Sequence, residues 1–134
     1  TNIYQKVAST VTSDARDKTD IMDLDCDCWG LNYIDKLNPV MYKFNDRSRY
    51  ISFDDDDVKT EMVNDGTKKD ENFKIGFLAQ DIITVESDIN CEDYSIVESE
   101  NPDKLGLNET SLIPILVNAI KELKLRIETL ENTV

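Results

Sequence analysis

The sequence predicts an α+β fold: a small mixed globular domain with an exposed excursion and a C-terminal coiled-coil helix. Three observations predict it. Short apolar runs of strand length alternate with short helical patterns between residues 28 and 107. Residues 45–72 are rich in acids and turn formers and poor in large hydrophobes. The last stretch, 113–134, carries an apolar repeat of alternating threes and fours. A chain of 134 residues is long enough for one modest core and too short to favour two.

Residues 1–12 are polar and β-branched, without a core of their own, and read as the end of an upstream segment. The start at Thr1 rather than Met suggests a piece of something longer. Residues 13–20 are dense in charge. Cys28, Leu31, Ile34 and Leu37 recur every three residues, as on one helical face, and Pro39 ends that helix by pushing the residue before it out of the α region. Residues 40–44 follow as a strand. The excursion at 45–72 contains Asp54–Asp57 and the turn pair Asp65-Gly66. Its hydrophobes are Tyr50, Ile51, Phe53, Met62 and Val63, and it reads as a hairpin with its tip at Asp65-Gly66. Residues 73–78 form the returning strand and 79–85 a short helix, while 94–97 and 105–107 are weaker strand candidates. The body thus runs over 13–112.

In the terminal helix, Ile113, Leu116, Ile120, Leu123, Ile127, Leu130 and Val134 form an a/d seam, with Lys121, Glu122, Lys124, Arg126, Glu128 and Glu131 on the other faces. Pro114 is tolerated near the start of the helix, with Thr110 as the expected N-cap. A short helix with so narrow an apolar seam needs a partner, because alone it is marginal in water. Either the helix self-associates or it docks on its own domain; the seam favours self-association.

Composition narrows the function. With 28 acids against 15 bases the formal charge is -13, so the surface repels phosphate backbones and anionic membranes, and neither nucleic acid nor membrane is expected as a partner. No apolar run approaches a membrane span. The absence of histidine removes Ser-His-Asp and Cys-His catalysis and HExxH zinc sites. Four glycines, none clustered, give no phosphate cradle. No cofactor or metal is expected. Asp23-Leu24-Asp25-Cys26-Asp27 imitates the start of a calcium loop, but Cys28 stands where its glycine belongs and Ile34 where its glutamate belongs. Asp54–Asp57 reads as a solvated loop. Three cysteines, two of them too close together for a structural zinc pair, suggest idle thiols in a reducing compartment.

Four blocks then appear in order. Ser13-Asp14-Ala15-Arg16-Asp17-Lys18-Thr19-Asp20-Ile21 resembles the SDxRxKxDI motif of the S74 peptidase family. The stretch from Leu37 to Phe44 is similar to its L-x-P-V-x-Y-x-W segment, with Phe44 in place of Trp. The stretch from Ile75 to Ile82 is similar to its GFIAQEV block, and that from Ala119 to Leu123 to its AIKEL helix. Asp17 stands where the family usually has Leu. Members of the family are the C-terminal intramolecular chaperone domains of phage endosialidases, tailspikes and neck appendages.

The resemblance implies a homotrimer, an upstream fibre stem of the same polypeptide as partner, and assembly in the bacterial host cytoplasm, as a precursor of the virion. Ile at a with Leu at d favours two strands instead, but the seam is short and the body and stem outweigh it. The resemblance also implies self-cleavage at Thr12–Ser13 by a Ser-Lys dyad, with Ser13 as nucleophile and Lys18 as base. Asp14, Arg16 and Asp20 belong to the supporting motif. A serine hydroxyl needs a neighbouring base, and lysine serves when desolvation or a nearby cation removes its proton. Arg16 is such a cation, while Asp14, Asp17 and Asp20 act the other way. Five residues apart, Ser13 and Lys18 lie about 140° apart on a helix and on opposite faces of a strand, so regular structure separates them. Either a turn over 15–17 folds Lys18 back or the pair forms between subunits. Two other functions fit less of the sequence: a trimerisation cap that no longer cleaves, and a membrane-anchored transcription factor released by the same dyad.

Overall fold

The computed structural model describes residues 11–91, 94 and 96–133. Residues 1–10 of the upstream segment expected at 1–12, Ser95 in the strand candidate at 94–97, and Val134 of the seam lie outside the described residues. Among the described residues there are three α-helices and three separate two-stranded antiparallel sheets. The expectation of a small mixed α and β body is met.

Helix α1 spans Leu31–Lys36, shorter than the 28–37 expected. Cys28 lies in the turn before it, where Trp29 N donates to Asp25 O. Leu37 ends α1 in an extended conformation, two residues before Pro39. Strand β1 (Val40–Tyr42) pairs with β4 (Lys74–Gly76), Met41 opposite Ile75. Between them lies the excursion, whose hairpin pairs β2 (Ile51–Phe53) with β3 (Lys59–Glu61). Its tip is the Asp54–Asp57 turn rather than Asp65-Gly66. Asp54 Oδ1 accepts from the backbone N–H groups of Asp56 and Val58, and Asp57 takes a left-handed φ of 59°. Aspartate suits both tasks, through its local hydrogen bonds and its tolerance of that conformation. Asp65-Gly66, with Gly66 at φ 78°, forms the later turn that leads back to β4.

Helix α2 (Ala79–Asp88) runs a turn longer than its apolar pattern. Strands β5 (Val97–Glu98) and β6 (Gly106–Leu107) pair as the weak candidates implied. Helix α3 spans Leu112–Glu131. A 3₁₀ turn at Glu109–Ser111 precedes it, so Ser111 takes the N-cap position expected of Thr110, without a side-chain cap.

The core gathers Trp29 and Tyr33 with Ile82 and Val85 of α2, Ile96 and Val97, and Leu112 and Ile115 of α3. Tyr33 is fully buried, and its hydroxyl donates to the buried Glu86 at 3.0 Å. That bond gives a buried carboxyl group a partner, without which its desolvation would be costly.

Cys28 and Cys91 form a disulfide across 63 residues, and Cys26 is free and exposed. The expectation of three idle thiols is therefore corrected. Packing α1 beside α2 brings together two residues that flank them, a pairing that spacing along the chain does not reveal.

Helix α3 also departs from a plain choice between docking and self-association. Leu112, Ile115 and Ala119 are buried against α1 and the core. The seam residues Ile113, Leu116, Ile120, Leu123, Ile127 and Leu130 lie beside them and remain 41–69% exposed. The helix carries two apolar stripes, one used by its own body and one left open.

Candidate active site

Residues 11–27 form an arm along which nearly every side chain is exposed. At its start Asp14, itself extended, accepts from the backbone N–H of Arg16 through Oδ1 at 2.9 Å and begins a 3₁₀ turn over Ala15–Asp17. Asp17 N donates to Asp14 O at 3.0 Å, and Lys18 N to Ala15 O at 3.2 Å. Lys18 then returns to extended backbone. One turn of three residues between two extended flanks does what neither a helix nor a strand can do across five positions. Lys18 Nζ reaches Ser13 Oγ and donates to it at 2.8 Å. Of the two arrangements open from the sequence, the structure has the local turn.

The rest of the motif is also placed. The Arg16 guanidinium closes as a fork on Asp14, with Nε at 3.1 Å from Oδ1 and Nη2 at 2.7 Å from Oδ2. That fork and the Arg16 amide hold the Asp14 carboxyl below the usual carboxylate range, and Asp14 in turn raises the guanidinium. Arg16 is therefore directed at Asp14. Asp20 takes a left-handed φ of 54°, so its part is to bend the backbone two residues past Lys18. Thr12 and Ser13 are exposed.

The sequence reading missed how the arm is fastened. Asn118 on α3 donates through Nδ2 to Leu24 O at 3.2 Å and to Trp29 O at 3.0 Å. Glu122, one turn further, accepts from Leu31 N at 3.2 Å and so closes the start of α1. A Cβ on Gly30 would meet the Glu122 carboxylate and lie 2.8 Å from Cys26 O, so the close approach requires glycine. The Cys26 thiol is pushed up by local desolvation and by hydrogen bonding and charge from Glu122, with Asp25 and Asp27 adding to it. A signal for these two residues existed: Ile115, Asn118, Ala119 and Glu122 continue one stripe at helical spacing, and its polar members lie where apolar ones belong.

Of the aspartates that imitate a calcium loop, Asp25 serves the backbone: its Oδ1 accepts from Asp27 N at 2.9 Å. No three potential metal ligands converge among the described residues. Nor is any helix among them long and apolar enough to cross a membrane.

The small α and β body thus displays a hydrogen-bonded Ser-Lys pair on an exposed arm. Residues 13–90 match the family model Peptidase_S74, described as chaperone of endosialidase, and the chain belongs to that family. The match begins at Ser13, includes the excursion and ends before β5. No curated protein and no solved structure matches the chain. Membership brings a chaperone role, a peptidase designation and a phage fibre setting.

Proposed function

We propose that this domain is an intramolecular chaperone that trimerises, assists the folding of an upstream phage fibre, and releases itself by cleavage at Thr12–Ser13. The observation that carries the cleavage is the 2.8 Å contact between Lys18 Nζ and Ser13 Oγ, inside a motif that starts where the family match starts. As an ammonium, Lys18 donates in that contact. Once it loses its proton, the same geometry lets the amine accept the hydroxyl proton instead.

Ser13 Oγ then attacks the Thr12 carbonyl carbon while Lys18 takes the proton. The tetrahedral intermediate collapses with cleavage of the C–N bond, and Lys18 returns the proton to the Ser13 nitrogen. The product is an ester of Thr12 on Ser13 Oγ with a free α-amine. Water hydrolyses the ester, leaving a Thr12 carboxylate and restoring the serine.

Trimerisation rests on the open stripe of α3, whose exposed Ile and Leu residues keep the heptad spacing. Three fibre chains pair slowly because loop-closure entropy is lost before contacts compensate, and a domain that gathers their ends raises the effective concentration. The excursion at 45–72 exposes Phe53, Val58, Met62 and Val63, apolar groups suited to gripping a nascent stem. Assembly takes place in the host cytoplasm, which keeps thiols reduced, so the Cys28–Cys91 bond closes after release from the cell.

Expression of the chain with Ser13→Ala or Lys18→Ala should leave the Thr12–Ser13 bond intact, while the wild type yields a species whose mass begins at Ser13. Cleavage of the Ser13→Ala chain at that bond would sink the assignment. A second reading, a trimerisation cap that does not cleave, is favoured by the exposure of Ser13 and Lys18 to water. An intact wild-type chain after prolonged incubation of the assembled protein would select it.

A further inference from the structure

We propose that Asp14 is the positioning residue of the Ser13–Lys18 pair, with Arg16 acting through it. The inference rests on the Ser-Lys reading above and assigns roles within it.

The turn that brings Lys18 to Ser13 has few supports of its own. It is three residues long, and no residue in it is buried. A turn that short gains little from its backbone bonds, because fixing each residue costs conformational entropy comparable to what one bond returns. Two backbone bonds close it, Asp17 N to Asp14 O and Lys18 N to Ala15 O. The third is the side-chain cap, in which Asp14 Oδ1 accepts from Arg16 N at 2.9 Å. That cap fixes the point at which the chain leaves its extended course, one residue after Ser13 and four before Lys18.

Arg16 has a separate task. An exposed carboxylate rotates freely, and only some of its rotamers cap. The fork from Nε and Nη2 ties both Asp14 oxygens in the capping orientation. An exposed ion pair contributes little to stability, and the two side chains are 89% and 40% exposed. Its effect is therefore on orientation, and through orientation on the fraction of time Lys18 spends within reach of Ser13. Neither Asp14 nor Arg16 touches the reacting atoms. Reaction rate scales with the population of the geometry in which nucleophile and base meet, so loss of the cap lowers the rate without changing the chemistry.

The test is pulse–chase cleavage of the full chain during expression, with Ser13→Ala and Lys18→Ala alongside. Asp14→Ala, which loses the cap, should cleave roughly five- to thirtyfold more slowly, the population lost when an N-cap is removed. Asp14→Asn, which keeps the accepting oxygen, should stay within about threefold of the wild type. Arg16→Gln should fall between them, and should add less than about twofold in the Asp14→Ala background. Across pH, Asp14→Ala should lower the plateau and leave the midpoint in place.

If Ser13→Ala and Lys18→Ala are uncut while Asp14→Ala cleaves at the wild-type rate, the positioning role is wrong and the dyad stands. A midpoint that moves while the plateau holds would mean that Asp14 tunes the charge on Lys18, which also overturns the role. If the dyad variants themselves still cleave, the underlying reading falls first. Should Asp14→Ala fail to assemble, Asp14→Ser, with a hydroxyl that caps and no charge, makes the same comparison: near-wild-type cleavage supports the role, and loss equal to that of Lys18→Ala refutes it.

Discussion

The two stripes of α3 make a prediction that separates the body from the assembly. Ile115 is 2% exposed and packs in the core, whereas Ile120, a turn and a half further, is 65% exposed. Truncating Ile115 to Ala removes three buried carbons and leaves a cavity, at a cost of about 2–5 kcal/mol. For a chain of this size that lowers the melting temperature by roughly 8–20 °C. Ile120→Ser with Leu123→Ser removes apolar surface that water already reaches in the protomer, so the protomer should lose less than about 1 kcal/mol. The pair should nevertheless abolish self-association, and with it any dependence of the melting temperature on protein concentration. Melting followed by circular dichroism at two concentrations gives the first quantity, and sedimentation velocity the second. The expected pattern is a destabilised assembly for Ile115→Ala and a stable, concentration-independent monomer for the seam variant. A seam variant that sediments like the wild type, or melts as low as Ile115→Ala, would refute the assignment of the stripes.

Two further predictions concern how the arm and body are fastened. Gly30→Ala drives a methyl group into the Glu122 carboxylate and the Cys26 carbonyl; backbone is one of the two obstacles, so the expected loss is about 1–3 kcal/mol in a thermal melt. The Cys28–Cys91 bond closes a loop of 63 residues, for which chain entropy gives about 4 kcal/mol. Dithiothreitol, or Cys28→Ser with Cys91→Ser, should lower the melting temperature and leave a folded protein, as the proposed assembly in a reducing compartment requires.

Local features were legible in the sequence and distant ones were not. Val40–Tyr42 and Lys74–Gly76 are strands that pair with each other, inside the ranges 40–44 and 73–78 expected from their short apolar runs. The excursion was visible from its composition, but its tip was misplaced: Asp65-Gly66 has the commoner hairpin chemistry, while the actual tip uses an aspartate at φ 59°. The Cys28–Cys91 pair and the Tyr33–Glu86 bond span 63 and 53 residues, and no short-range pattern encodes them. Helix α3 was read through its stronger repeat. Its weaker stripe of Leu112, Ile115 and Ala119 is the one the core uses. At the site, the residues were legible through the motif. The turn that unites Ser13 and Lys18 was one of two options, because a three-residue 3₁₀ turn leaves no periodic trace.

Under the proposed function, the local character of that turn bears on how the chain would delay its own cleavage. The scissile bond is tethered beside its nucleophile, a proximity worth many orders of magnitude in rate, so cleavage would precede folding of the fibre unless another requirement were unmet. Bringing the pair together cannot be that requirement, since the contact forms within six residues and draws on no part of the core. What one protomer leaves undone is the environment. The arm is exposed over Ser13 and Lys18, and water opposes both a neutral amine and the stabilisation of a developing oxyanion. In the proposed mechanism a second copy, aligned through the open stripe of α3, would remove that water at the moment the chains come into register. In the proposed mechanism the timing signal is thus desolvation, and the seam variant that cannot associate should hold an intact Thr12–Ser13 bond although its Ser13 and Lys18 are untouched.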